Sequence, residues 1–250
     1  MRGLILAAGQ GSRLRPLTDE LPKTLLPVTD DSTILDLTLA NLAGVGVTSV
    51  AVITGFAAEA IESRAPELQS RHGVSLELIY NEKGTTWNNA YSVWVGRERF
   101  GEPTLLINSD TVHPVGVLET MIARYESSEP TARPGLLLAL DDVKALGDEE
   151  MKVSLDRAGD VTRIHKGLDP EDADGEYIGI SVIDPSIAEA LAASLQATWE
   201  FDPNLYYEDG YQHYIDSGGR VETEPIGTVE WVEVDNLDDL EIARDIACRY

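Results

Sequence analysis

The chain has one cysteine, Cys248, three phenylalanines and five lysines among 250 residues. A single cysteine forms no internal disulfide, and the four histidines show no metal-ligand spacing. No run of about 18 apolar residues occurs, so a membrane span is not expected. A brief apolar stretch follows Arg2, but it enters a glycine loop. It lacks the longer apolar core and cleavage site of a secretory signal, and a cytoplasmic location is the default expectation. Basic residues are scarce, 19 against 44 acidic ones, for a formal net charge of -25. Binding to a nucleic-acid backbone needs a basic face, so that balance argues against it. An acidic, lysine-poor surface fits a salt-rich cytoplasm and, equally, ordinary acidic composition. No G-x-S-x-G element supports acyl chemistry, and no hexapeptide repeat marks a β-helical extension.

What is present is a strand–helix alternation. Gly3–Ala8, Ser49–Thr54, Ser75–Tyr80 and Thr104–Asn108 read as strands. Between and after them, Ile34–Ala43, Ala57–Arg64, Asn88–Arg97 and Val115–Ser127 read as helices. In the second half, Gly135–Leu140, Met151–Leu155, Val161–His165, Ile178–Ile183, Val221–Pro225 and Val229–Val234 read as strands, partly antiparallel. Pro185–Leu195, Pro203–Ser217 and Leu237–Cys248 read as helices. The pattern predicts an α/β fold: a Rossmann-like three-layer α/β/α with a mixed, mainly parallel central sheet and a small antiparallel subregion for substrate. Ligands of such sheets gather at the carboxyl ends of the strands. Both "AAGQGSR" and "NSD" (Asn108–Asp110) stand at such ends.

The opening loop is neither a dinucleotide fingerprint, because Leu14 takes the last glycine's place, nor a Walker loop, because G-K-[ST] is missing. It still turns several backbone N–H groups toward one point, a nest that attracts anions. Gly9 and Gly11 permit close backbone approach, Arg13 adds a phosphate fork and Lys23 a point charge. The plain alternative is a glycine turn with two surface cations. Asp110 and Asp235, each at a strand end, can share one divalent cation, although Asp235 serves equally as a cap for the helix from Leu237.

The stretch "LILAAGQGSRLRPLTDELPKTLLPV" resembles the signature of the nucleotidyltransferases that activate sugar phosphates and phosphocholine. The family pattern L-A-A-G-x-G-[ST]-R-[LM]-x-P-L-T, then P-K, is filled at every position. The resemblance implies nucleotide contact by Leu6, Ala7, Ala8, Gly9, Gly11, Ser12, Arg13 and Lys23. It implies Mg2+ on Asp110 and Asp235, with Lys23, Arg13, Asp110 and Asp235 as the catalytic set. "NEKGTTWNNAYSVW" (Asn81–Trp94) resembles the phosphocholine and phosphonate cytidylyltransferase branch, which implies nucleotide contacts from Asn81, Asn88, Asn89 and Asp110. Asn88 by itself reads as a helix cap.

The same branch carries segments similar to "MKV", "ADGEYIG" and "YYED". The resemblance therefore implies acceptor contacts from Lys152, Glu176, Tyr177, Tyr207, Glu208 and Asp209, with aromatic faces and carboxylates holding an ammonium. Without it, Lys152 reads as an exposed strand residue and most of the aromatics as core.

The expectation is one catalytic domain over 1–250, with a nucleotide-binding half at about 1–140 and an acceptor-binding half at about 141–250. Its implied reaction is Mg2+-dependent transfer from CTP to phosphocholine, 2-aminoethylphosphonate or a close relative, with release of pyrophosphate. The rivals are a sugar- or cyclitol-phosphate enzyme using UTP, GTP or dTTP, and a non-catalytic nucleotide sensor. No nucleic-acid or membrane partner is expected. The oligomeric state, monomer or homodimer, is not readable from the sequence.

Overall fold

The computed structural model describes residues 1–249, the side chain of Pro130 excepted. The expected span's last residue, Tyr250, lies outside the described residues. The first strands are β1 (Arg2–Ala7), β2 (Ser49–Thr54), β3 (Ser75–Tyr80) and β4 (Thr104–Asn108). They alternate with α1 (Ile34–Gly44), α2 (Ala58–His72) and α3 (Asn89–Val95). After a two-residue β5 (Thr111–Val112) and α4 (Val115–Glu126) come β6 (Leu136–Asp141), β7 (Lys152–Leu155), β8 (Val161–His165) and β9 (Gly175–Ile183). The chain ends with α5 (Ala188–Phe201), α6 (Tyr207–Asp216), β10 (Val221–Pro225), β11 (Val232–Glu233) and α7 (Leu237–Ala247).

The main sheet runs β10-β6-β9-β4-β1-β2-β3, with β7 and β8 attached beside β9. β1 pairs in parallel with both β2 and β4, and β9 is antiparallel to β4 and β6. The expected mixed sheet is therefore present, and its antiparallel part is β7, β8 and β9. Successive strand residues face opposite sides, which produces the layers. Ile5, Val50, Val52 and Ile107 join Leu35, Leu39 and Met121 on one side. Leu4, Ala51, Ile53 and Leu106 join Val93, Leu195, Tyr207 and Tyr211 on the other. A third cluster packs Leu240, Ala243 and Ile246 of α7 against Leu14, Leu26 and Val112.

Helix α2 runs eight residues beyond the expected end at Arg64 and continues through Pro66 to His72. Its tail is tied to α1 through Asp36, whose side chain is 1% exposed. Asp36 completes a capping box with Thr33, and Arg64, Arg71 and His72 reach its oxygens at 3.3, 3.2 and 2.9 Å. Burial pushes this carboxyl up, but hydrogen bonds from Thr33 and His72 and the charge of Arg64 outweigh it and hold it at about 2. Between β1 and β4 the chain order reverses, because β2 and β3 extend one way and β4 the other. Such a switch point opens a crevice at the strand carboxyl ends.

A carboxylate held below its unfolded value contributes stability that is whole above the ordinary value of 3.8 and lost as pH falls through about 2. Asp36→Asn is expected to cost about 2 kcal/mol at pH 7 and to flatten that acid limb. Urea unfolding of both proteins between pH 2 and 7 measures this, and parallel acid limbs would refute the assignment.

Candidate functional site

The crevice holds a cavity of about 330 Å³, lined by Leu6, Ala7, Ala8, Gly9, Gly11, Ser12 and Arg13 on one wall. Gly11 is left-handed (φ 60), and a Cβ there would stand 3.0 Å from Lys23 Cβ. Thr18 Oγ1 donates to the Gly11 carbonyl at 2.8 Å and holds the turn. The sequence therefore brings Lys23, at the start of a short helical turn after Pro22, directly under the loop.

Lys23 Nζ lies 2.6 Å from Asp110 Oδ2 and 3.1 Å from Asp235 Oδ1. Arg13 reaches Asp235 Oδ2 at 2.8 Å. Burial would pull the Lys23 ammonium down, but Asp110 and Asp235 hold it well above the usual lysine range. The four expected catalytic residues thus meet at one point. Asp235 does not cap α7: Asn236 accepts from the Asp238 and Asp239 amides, and the Asp235 carboxylate faces the cleft.

Glu233, which the sequence reading missed, joins the cluster. One oxygen each of Asp110, Glu233 and Asp235 lies within 4.8 Å of the others. Glu233 is exposed, yet its enclosed setting in the cleft and the charges of Asp110 and Asp235 push its carboxyl up. The signal was available in "EWVEVD", since positions two apart on an extended strand share a face. Asp110 Oδ1 is buried with no partner among the described residues. An orphaned oxygen within three converging carboxylates fits a hard divalent cation that keeps several waters.

The far wall carries Trp87, Asn88, Asn89, Asn108, Lys166 and Tyr206. Asn88 caps α3 and donates to the Asn204 carbonyl, while Asn89 Oδ1 accepts from the Tyr207 amide at 2.9 Å. Asn81 is not on this wall. It is 1% exposed and is consumed by Ser92 Oγ and the Lys83 amide.

The expected acceptor residues do not form one pocket. Lys152 is fully buried, its ammonium spent on the carbonyls of Gly147, Asp148 and Glu150. Tyr177 and Tyr207 are core, bonded to each other at 3.0 Å, and Tyr207 also donates to Asn108 Oδ1. Asp209 Oδ2 accepts from the Tyr206 amide at the start of α6. Glu208 is buried among the tyrosines, and Oε2 has no partner among the described residues. Burial pushes it up to about 8. Aromatic residues in "YYEDGYQHY" repeat at helical spacing, so one face of α6 had to be core.

Of that set, Glu176 alone lines one of the two chambers at the site. It lines a second chamber of about 410 Å³ with Lys144, Glu150 and Trp231. Arg13, Lys166, Glu233 and Asp235 border both chambers. Lys166, 5.2 Å from the Tyr206 ring centroid, thus stands at their junction.

A buried acid held above its unfolded value destabilises the fold as pH rises from its ordinary 4.5 toward about 8. Glu208→Gln is therefore expected to unfold about 3 to 6 °C higher than the parent at pH 8, with the gap closing by pH 4.5. Calorimetry at both pH values decides it, and a variant less stable at pH 8 would show that the carboxylate is needed as such.

The family model described as nucleotidyl transferase matches residues 2–143. A glucose-1-phosphate thymidylyltransferase of Streptomyces griseus is 27% identical over 245 residues, covering 98% of this chain and 65% of that protein. A CMP-5'-(3-aminopropyl)phosphonate synthase of Streptomyces rubellomurinus is 37% identical over 149 residues, 59% of this chain and 23% of that protein. The chain therefore spans less than two thirds of the length of both relatives. The solved CTP:phosphocholine cytidylyltransferase of Streptococcus pneumoniae superimposes with a TM-score of 0.76 at 21% identity, covering 98% of each chain. With the loop, the switch-point crevice and the match over more than half its length, the chain belongs to the nucleotidyl transferase family.

Proposed function

We propose that the chain transfers a cytidylyl group from CTP to a small phosphate or phosphonate that bears an amine or ammonium. The observation that carries this is Lys23 bridging Asp110 and Asp235 beneath the glycine loop, with Arg13 alongside. The amine-bearing acceptor draws support from the aminopropylphosphonate relative and from an acidic, aromatic chamber that opens beside the cluster.

In this reading the loop amides and Arg13 receive the triphosphate, and Lys23 offsets charge near the α-phosphorus. An acceptor oxygen forms the new P–O bond, the α–β bridging bond breaks, and pyrophosphate leaves with its electron pair. The acceptor's second pKa is about 6, so the nucleophile is already ionised at neutral pH and needs no general base. Two anions must meet, so the barrier is one of positioning and charge neutralisation. Asp110, Asp235 and Glu233 would hold Mg2+, which when bound neutralises phosphate charge. Lys166 takes the acceptor-anion role expected of Lys152, since it borders both chambers where they meet.

A pyrophosphate-release screen tests the reading, with four nucleotides against phosphocholine, 2-aminoethylphosphonate, sugar phosphates and a cyclitol phosphate, each with Mg2+. CTP with an amine-bearing acceptor is the expected pair. Lys23→Ala should lower its turnover by about 100-fold or more, and Lys166→Ala should raise the acceptor KM. Turnover restricted to sugar or cyclitol phosphates would overturn the acceptor class. No turnover with any pair would favour the non-catalytic sensor.

A further inference from the structure

The chamber beside the carboxylate cluster is built around a cation, and the cation belongs to the chain. Asp141 Oδ1 accepts from the backbone N–H groups of Val143 and Lys144 at 2.9 and 3.0 Å. Its other oxygen accepts from Trp231 Nε1 at 2.7 Å. One carboxylate thus fixes both the turn that carries Lys144 and the indole that faces it. Behind them, the buried Lys152 holds the carbonyls of Gly147, Asp148 and Glu150 and keeps that loop in place.

Within this frame the Lys144 ammonium stands 5.1 Å from the Trp231 ring centroid. It lies 3.1 Å from Glu176 and 3.6 Å from Glu150. An aromatic face between two carboxylates is what a ligand ammonium requires. The partners differ in freedom: the Glu176 side chain is 6% exposed and Lys144 is 47% exposed. The carboxylate cannot follow the lysine into water. A vacated seat would leave Glu176 uncompensated, and a second cation removes that penalty.

We propose that Lys144 is an internal stand-in for the acceptor's ammonium, and that the acceptor binds by exchanging its own cation for Lys144 on Trp231, Glu176 and Glu150. The proposal rests on the acceptor class argued above. It makes Lys144 a specificity-determining residue: a ligand without a cation cannot displace it. An ammonium head is compact and strongly hydrated, so a more weakly hydrated quaternary ammonium gains more from the ring.

The test is Lys144→Met, with Lys144→Gln as a second uncharged variant. Each is expected to lower the KM for an amine-bearing acceptor by about three- to ten-fold, while the KM for CTP stays put. Phosphocholine and 2-aminoethylphosphonate as paired acceptors separate the quaternary from the primary ammonium. A raised acceptor KM in both variants would overturn the proposal, because Lys144 would then be gripping the acceptor's anion. An unchanged KM would overturn it too.

A binding arm keeps the seat testable if the wild-type chain turns over no amine-bearing acceptor. Tryptophan fluorescence is titrated with tetramethylammonium chloride against sodium chloride at equal ionic strength. Binding by Lys144→Met that is weaker in the parent, and lost when Glu176→Gln is added, supports the seat even where the acceptor reading has failed. No difference between the two salts in Lys144→Met refutes it.

Discussion

Everything at the carboxyl ends of the strands depends on one electrostatic constraint: three carboxylates from distant parts of the chain must share a small space. Asp110 follows β4, while Glu233 and Asp235 flank the end of β11. Bare, such a cluster would repel itself, and the charges of Asp110 and Asp235 accordingly push the Glu233 carboxyl up. Lys23 stands between two of the three and makes the arrangement tolerable. Its place is set by the loop, because Gly11 packs against its Cβ and only a glycine fits that left-handed turn. The antiparallel pairing of β5 with β11 carries the late segment across to the early one. Loop, lysine and strand pairing are therefore solutions to a single problem of charge.

That dependence explains which features were legible in the sequence. Strands show as apolar residues, in runs or in alternation, bounded by turns, and β2, β3, β4, β8 and β10 fall on their expected bounds. The loop was legible because a close backbone approach to anions restricts residue type at nearly every position. Lys152 was not. In a strand it reads as exposed, and no residue type nearby reveals that three carbonyls of the preceding turn will fold onto its ammonium. The same limit applied to Glu208, whose burial follows from α6 docking its aromatic face on the sheet, whereas Asp209 serves the start of its own helix through the Tyr206 amide. Side chains whose duty is set by how the backbone and the helices fold around them carry little signal in residue type. Glu233 is the exception, since strand alternation places it beside Asp235.

The second half of the chain divides its labour between walls and posts. Tyr177, Tyr207 and Tyr211 are posts: buried, mutually packed and hydrogen-bonded to Asn108 and Ser181. Asn108 in turn lines the cleft, so these tyrosines act on the site through its floor. Gly179 is left-handed (φ 77) where β9 passes this point, and a Cβ there would stand 2.5 Å from Asn108 Nδ2. Asp141 and Lys152 are posts for the second chamber in the same sense. Each spends its charge on backbone or indole groups and leaves Glu176, Trp231 and Lys144 as the wall.

Charge also governs the approach to the site. The chain carries a formal net charge of -25, and both proposed substrates are anions. Arg13 is two-thirds exposed beside a largely buried Lys23, so the cleft presents its positive end to solvent at the mouth. Beyond about 8 Å at physiological ionic strength, surface charge is largely screened. Inside the cleft, where little water intervenes, it is not. The acidic exterior therefore weakens long-range attraction of the nucleotide, while the short-range cations retain their hold. Such a protein gains encounter rate as salt rises and loses little of its grip. In this respect an acidic surface and a phosphate-handling cleft are compatible, provided the cations are few, local and fixed by carboxylates of their own.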